Sequence, residues 1–146
     1  MTPVQFLTDV YPFALMLVFL ACLFAARLPG KGRFVLRAMG ALLVAVFLAH
    51  LNRWFLFWPE HRLFPSGHMT FCLGISLSIA QLWPWTLAIT LPILVPFGMA
   101  LVSLHYHTPG DVLGAIPLVL VVYGLARWFW PMPPPSPPLD SRPTSL

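Results

Sequence analysis

The chain has 146 residues, of which 59% are apolar and 8% charged, with a mean hydropathy of +0.84. That leaves room for one domain and excludes an ordinary water-soluble one, because its solvent is lipid rather than water. The formal net charge of +4 does not indicate a nucleic-acid partner, since Arg27, Lys31, Arg33 and Arg37 crowd into a single loop.

Five hydrophobic segments follow one another at roughly 8–27, 34–58, 67–83, 86–106 and 111–130. The first resembles a secretory signal, but Asp9 and the absence of Lys or Arg make the wrong leader for one, so it is expected to be a retained helix. The second is long enough that its last turns, around Arg53, fall at the interface, and the third is short, ended by Pro84. Pro92 and Pro96 interrupt the fourth, and a bend there would open a cleft beneath the outer loops; Pro117 lies in the fifth. The proline-rich stretch 131–146 predicts a disordered cytoplasmic tail. The expected fold is therefore all-α: a polytopic membrane helical bundle of about five transmembrane helices over 1–130. Trp54, Trp58, Trp83, Trp85, Trp128 and Trp130 fall near segment ends, where amphipathic rings favour the headgroup layer. Cys22 and Cys72 lie inside apolar segments and read as packing residues, with no metal-binding spacing.

A basic first loop places that loop in the cytoplasm. The N-terminus, the 53–66 connection and residues 105–110 then lie outside, while the Trp83-Pro84-Trp85 turn and the C-terminus lie inside, as expected for a bacterial inner membrane. On this topology all five histidines (His50, His61, His68, His105 and His107) fall on the outer side with Arg53, Glu60, Arg62 and Asp111. Polar clustering at one interface is the pattern of an active site or a metal site.

Two stretches carry the chemistry. In Pro65-Ser66-Gly67-His68, Ser66 is placed to cap the third helix, leaving amides and a missing side chain at Gly67 as an anion site with His68 one turn in; an ordinary serine cap beside an interfacial histidine is the competing reading. In His107-Thr108-Pro109-Gly110-Asp111, Thr108 reads as N-cap, Pro109 as the first helical residue and Asp111 as the third, so Asp111 fits a capping box. A carboxylate close to His107 would also fix its tautomer and leave the other ring nitrogen free for attack. His105 shares a side with His107 if the chain there is extended and diverges from it if helical. His50, His61 and Glu60 read as solvated interface residues, whereas Arg53 and Arg62 are the outer cations able to neutralise a phosphate or to anchor headgroups. A zinc or iron site from His105, His107, Asp111 and His61 or His68 is the metal alternative, but no tight ligand spacing supports it.

These residues resemble the type 2 phosphatidic acid phosphatase (lipid phosphate phosphatase) superfamily, whose signature is Lys-x6-Arg-Pro, then Pro-Ser-Gly-His, then Ser-Arg-x5-His-x3-Asp. The second part stands intact as Pro65-Ser66-Gly67-His68 after Phe64, and the third ends as His107-x3-Asp111 before Val112-Leu113-Gly114-Ala115. The resemblance covers roughly 50–130. It implies a metal-independent, cofactor-free phosphatase acting on a lipid phosphate or pyrophosphate at the outer face. His107 would carry a phosphohistidine, Asp111 would orient it and His68 would protonate the leaving group. Ser66, Gly67, Arg53, Arg62 and His105 would surround the phosphate. The chain departs from the signature in two places: Ala100-Leu101 stands where the Ser-Arg pair falls, and the first part is not recognisable. A catalytically weak relative that binds a phosphorylated lipid or a partner membrane protein is the alternative. Five segments against the family's six, with Gly40, Gly74, Gly98 and Gly114 available for close packing, also suggest a homo-oligomer that completes the core.

Overall fold

Three of the helices start at a hydroxyl the sequence supplies. The computed structural model describes residues 2–26, 30–55 and 64–131. Among them the elements run α1 (Pro3–Ala25), α2 (Lys31–Phe55), α3 (Gly67–Ala80), α4 (Leu87–Ser103) and α5 (Pro109–Phe129), with one 3-10 turn over Pro84–Thr86 and no strand. Thr2 caps α1, its hydroxyl accepting from Gln5 N–H while the Gln5 side chain accepts from Thr2 N–H. That capping box, with Pro3 at the first helical position, explains why α1 begins five residues earlier than the hydrophobic segment beginning at residue 8. Ser66 caps α3 and Thr108 caps α5.

Four helices are long and apolar enough to cross a membrane, over Pro3–Ala25, Lys31–Asn52, Pro84–Ser103 and Pro109–Phe129, which makes this an integral membrane protein. The five apolar helices expected all form, and four of them reach spanning length on their own. The third segment is helical for only 14 residues, about 21 Å of rise against a hydrocarbon core of about 30 Å. It is the axis of the bundle, packing against α1, α2, α4 and α5. Its composition explains this position: Thr70, Gly74, Ser76, Ser78 and Ala80 are buried, and such small residues let four neighbours approach. A Cβ on Gly74 would sit 2.8 Å from Leu42 of α2 and 3.1 Å from the Tyr123 hydroxyl of α5. That hydroxyl pairs with Ser78 at 3.0 Å, and Ser78 also donates to the Gly74 carbonyl. Gly98 seats Val112 in the same way, whereas Gly40 has nothing nearby. The other helices turn apolar side chains outward, including Leu17, Leu43, Val95 and Leu120, onto what would be lipid. Cys22 and Cys72 are both free. The tail beyond Pro131 and the 56–63 connection, with Glu60, His61 and Arg62, lie outside the described residues.

The two ends of the bundle differ in chemistry. At one end the buried Arg37 of α2 donates to the Trp130 carbonyl after α5 (3.2 Å) and to the Gln81 side chain after α3, tying three helix ends together. A charged donor satisfying otherwise open groups is worth about 1.5–3 kcal/mol. Arg37→Met keeps the apolar stem and removes both bonds, and it is expected to destabilise the folded protein by about 2 kcal/mol, read as a lowered melting temperature in detergent.

Candidate active site

The opposite end gathers the titratable groups. One backbone hydrogen bond, from Ser66 N–H to the Asp111 carbonyl (2.8 Å), joins the start of α3 to the start of α5. Phe64 reinforces this junction: its ring lies so close to Gly114 that a Cβ there would overlap it, at 2.2 Å from the nearest ring atom. Ser66 is fully buried, and its hydroxyl accepts from Met69 N–H at 3.3 Å. The result is that the His68 and His107 rings face one another edge to face, with centroids 5.9 Å apart and planes at 66°.

Behind His107 stands Asp111. Its Oδ2 accepts from Thr108 N–H at 2.7 Å while the Thr108 hydroxyl accepts from Asp111 N–H at 3.2 Å, so the capping box expected from the sequence is formed. The same Oδ2 lies 3.9 Å from His107 Nδ1, within ion-pair range but beyond a hydrogen bond, and both side chains are more than nine-tenths buried. His107 Nδ1 and Asp111 Oδ1 are buried without a hydrogen-bond partner. Nδ1 thus faces the carboxylate, and Nε2 is the nitrogen turned away from it. Burial pushes the His107 pKa below the ordinary histidine value of about 6.5, and His68 acts the same way, against the opposing pull of Asp111. Both effects favour the neutral ring.

A cavity of about 730 Å³ opens in front of this pair. Asp9 and Phe13 of α1, His50 of α2, His68 and Phe71 of α3, and Tyr106 and His107 line it. It therefore lies between α1, α2 and α3. The proline-containing α4 does not open it; α4 lines a separate apolar groove of about 800 Å³ with α3 and α5. Among the described residues no Lys or Arg lines the cavity. Of the cations expected around a phosphate, Arg62 lies outside the described residues, as does the side chain of Arg53.

His105 takes neither of the two conformations weighed from the sequence. Its φ is +57°, and it occupies the left-handed position of a Schellman turn ending α4, with His105 N–H donating to Val102 O and Tyr106 N–H to Leu101 O. Its ring is exposed and does not line the cavity, whereas Tyr106 does. Among the described residues no group of three or more His, Cys, Asp or Glu side chains is arranged to hold a metal ion.

His50 and Asp9 are the site residues that the sequence reading missed. His50 Nδ1 donates to the Val46 carbonyl (2.8 Å), which aims its other nitrogen at the start of α3. A Cβ on Gly67 would meet that ring at 2.7 Å, so Gly67 is required by His50 as well as leaving the helix start open. Asp9 could have been found from its setting alone, because a carboxylate inside an apolar helix normally faces a polar interior.

Compared with known protein families, with curated proteins and with solved structures, the chain matches none. The site therefore rests on its own geometry.

Gly67→Ala is expected to displace His50 from the Val46 carbonyl and cost about 1 kcal/mol, the usual net worth of one such bond. His50→Ala should relieve the clash, so the double variant is expected to be more stable than the sum of the two single losses, measured by a double-mutant cycle of thermal stability in detergent.

Proposed function

We propose that this protein is an integral membrane phosphatase that hydrolyses a lipid phosphate or pyrophosphate through a phosphohistidine on His107. The observation that carries this reading is the His68–His107 ring pair over a single cavity, with a carboxylate behind the neutral histidine. His107 Nε2 attacks phosphorus and the bond to the leaving oxygen breaks. That oxygen keeps the electron pair and takes a proton from His68. Water then attacks the phosphohistidine as the now neutral His68 accepts its proton, and the P–N bond returns its pair to His107. Asp111 stabilises the positive charge that develops on the ring. The Ser66-capped start of α3, with Gly67 bare, offers amides to the phosphate oxygens. Arg53, near the end of α2, and Arg62 are the cations nearest this end in the sequence. The cluster stands at the end of the bundle that the basic first loop assigns to the outer face of a bacterial inner membrane, with the C-terminus in the cytoplasm. No metal or cofactor has a role in this reading.

A second reading, a weak or inactive relative that binds a phosphorylated lipid or a partner protein, draws on one observation: no described cation lines the cavity. A phosphate-release assay over a panel of lipid phosphates separates the two. On the phosphatase reading the parent releases phosphate with or without chelator, His107→Ala falls to background, and His68→Ala loses about 10²–10⁴-fold. Phosphate release undiminished in His107→Ala would remove the nucleophile, and an inactive parent that still binds the lipid would favour the second reading.

The pH profile gives an independent check. Attack needs neutral His107, and its pKa is depressed, so the acid limb of kcat is expected below the ordinary value of about 6.5. Asp111 raises the proton affinity of His107. Asp111→Asn should therefore move that limb to still lower pH while reducing kcat, measured by initial rates across pH 4–9.

A further inference from the structure

Three histidines line the cavity, and among the described residues only His50 has its tautomer fixed by the backbone. It stands half-buried on α2, and its Nδ1 is 2.8 Å from the Val46 carbonyl one turn back. A carbonyl can only accept, so the proton of the neutral ring sits on Nδ1 and Nε2 carries a lone pair. Nε2 has no hydrogen-bond partner among the described residues.

Gly67 shows where that nitrogen stands. A Cβ there would meet His50 Cε1 at 2.7 Å and Nε2 at 3.3 Å, so this edge of the ring fills the space of the missing side chain. The first turn of α3 begins at the same spot. Met69 N–H is taken by the Ser66 hydroxyl and Thr70 N–H by the Ser66 carbonyl, while Gly67 N–H and His68 N–H donate to no carbonyl of the described residues. The His107 ring, its side chain more than nine-tenths buried, lines the same cavity. One corner of the cavity thus combines two backbone donors with one imidazole acceptor, and no described Lys or Arg joins them.

Such a set of partners selects the protonation state of what it holds. An oxyanion with only bare oxygens matches the amides but sets an acceptor against the lone pair of Nε2. An oxyanion that keeps one O–H matches both. A phosphate monoester has that O–H in its monoanion. Its dianion, a phosphodiester anion and sulfate all lack it.

We propose that the cavity binds the phosphoryl group of a monoester as its monoanion, the P–OH donating to His50 Nε2 while Gly67 and His68 N–H donate to the other oxygens. This rests on the phosphatase reading for the choice of a phosphoryl ligand and on the geometry for its protonation state. His50 is then a binding residue that sets specificity for monoesters over diesters. A monoanion also brings half the charge of a dianion towards Asp9 in the lining and Asp111 behind His107, which suits a site with no described cation.

The test uses the full-length protein in nanodiscs at about pH 7.5 and constant ionic strength, titrated with inorganic phosphate or with sulfate and followed by histidine ring NMR. Both ions are tetrahedral, but at that pH phosphate keeps at least one O–H and sulfate has none. The parent is expected to bind phosphate about 10–100-fold more tightly than sulfate. His50→Ala is expected to bring the two ions within about threefold of each other, and His50→Gln, whose amide oxygen still accepts, to keep part of the preference. Binding of neither ion, equal affinities in the parent, or a preference unchanged in His50→Ala would each overturn the proposal. The parent comparison decides even where a variant does not fold. Release of phosphate from dioleoyl phosphatidate is measured on the same samples. A preference that depends on His50 in a protein that hydrolyses nothing would uphold the site and overturn the phosphatase reading. Hydrolysis that needs His107, in a parent with no preference between the ions, would uphold that reading and overturn the role of His50.

Discussion

The site depends on one backbone hydrogen bond, Ser66 N–H to the Asp111 carbonyl. It fastens the residue that caps α3 to the first turn of α5, so the two starts cannot separate or slide. Two further devices hold the same junction. Phe64 fills the place a side chain at position 114 would take, and the Thr108–Asp111 box keeps the first turn of α5 wound. With the junction fixed, His68 and His107 have little choice but to face each other. In a bilayer this bond also does what water does elsewhere, since it satisfies a buried N–H that would otherwise cost several kcal/mol.

The short central helix explains where the junction sits. α3 rises about 21 Å, so a bundle of longer helices must leave a recess at one of its ends or both. The Arg37 clamp fixes the ends of α3 and α5 together at the far side, through Gln81 and Trp130. The shortfall is thereby pushed to the other end, where the start of α3 lies below the flanking α1 and α2 and the cavity opens. A helix start sunk in a recess has amides that lipid cannot satisfy. Ser66 answers one of them, and an anionic ligand is the natural partner for the others.

Much of this was legible in the sequence because it is local. The hydroxyl caps at Ser66 and Thr108, and the Thr108–Asp111 box, depend on residues three apart and form as the spacing predicts. The apolar segments are likewise local and become helices. What was hidden required distance. No pattern within 67–83 says that its helix stops at Ala80 and becomes the bundle axis. His50 reads as an interfacial residue until Gly67, seventeen positions on, is seen to make room for it. His105 illustrates a local failure: the choice between helix and extended chain omitted the left-handed cap, which histidine adopts more readily than most residues. The prolines of α4 misled about the cleft, because the helix continues through them and the histidine-lined cavity lies on the opposite side of α3.

The charge arrangement bears on how such a cavity could accept a phosphate at all. Two carboxylates and no described cation would repel a dianion if the histidines were both neutral. The amides at the start of α3, which Ser66 satisfies only in part, are the positive ends of the cavity wall. Asp111, buried behind His107 and bonded to Thr108 N–H, is further from an incoming oxygen than the ring it supports. Two imidazolium rings with centroids 5.9 Å apart would repel each other, so the pair takes up one proton more readily than two.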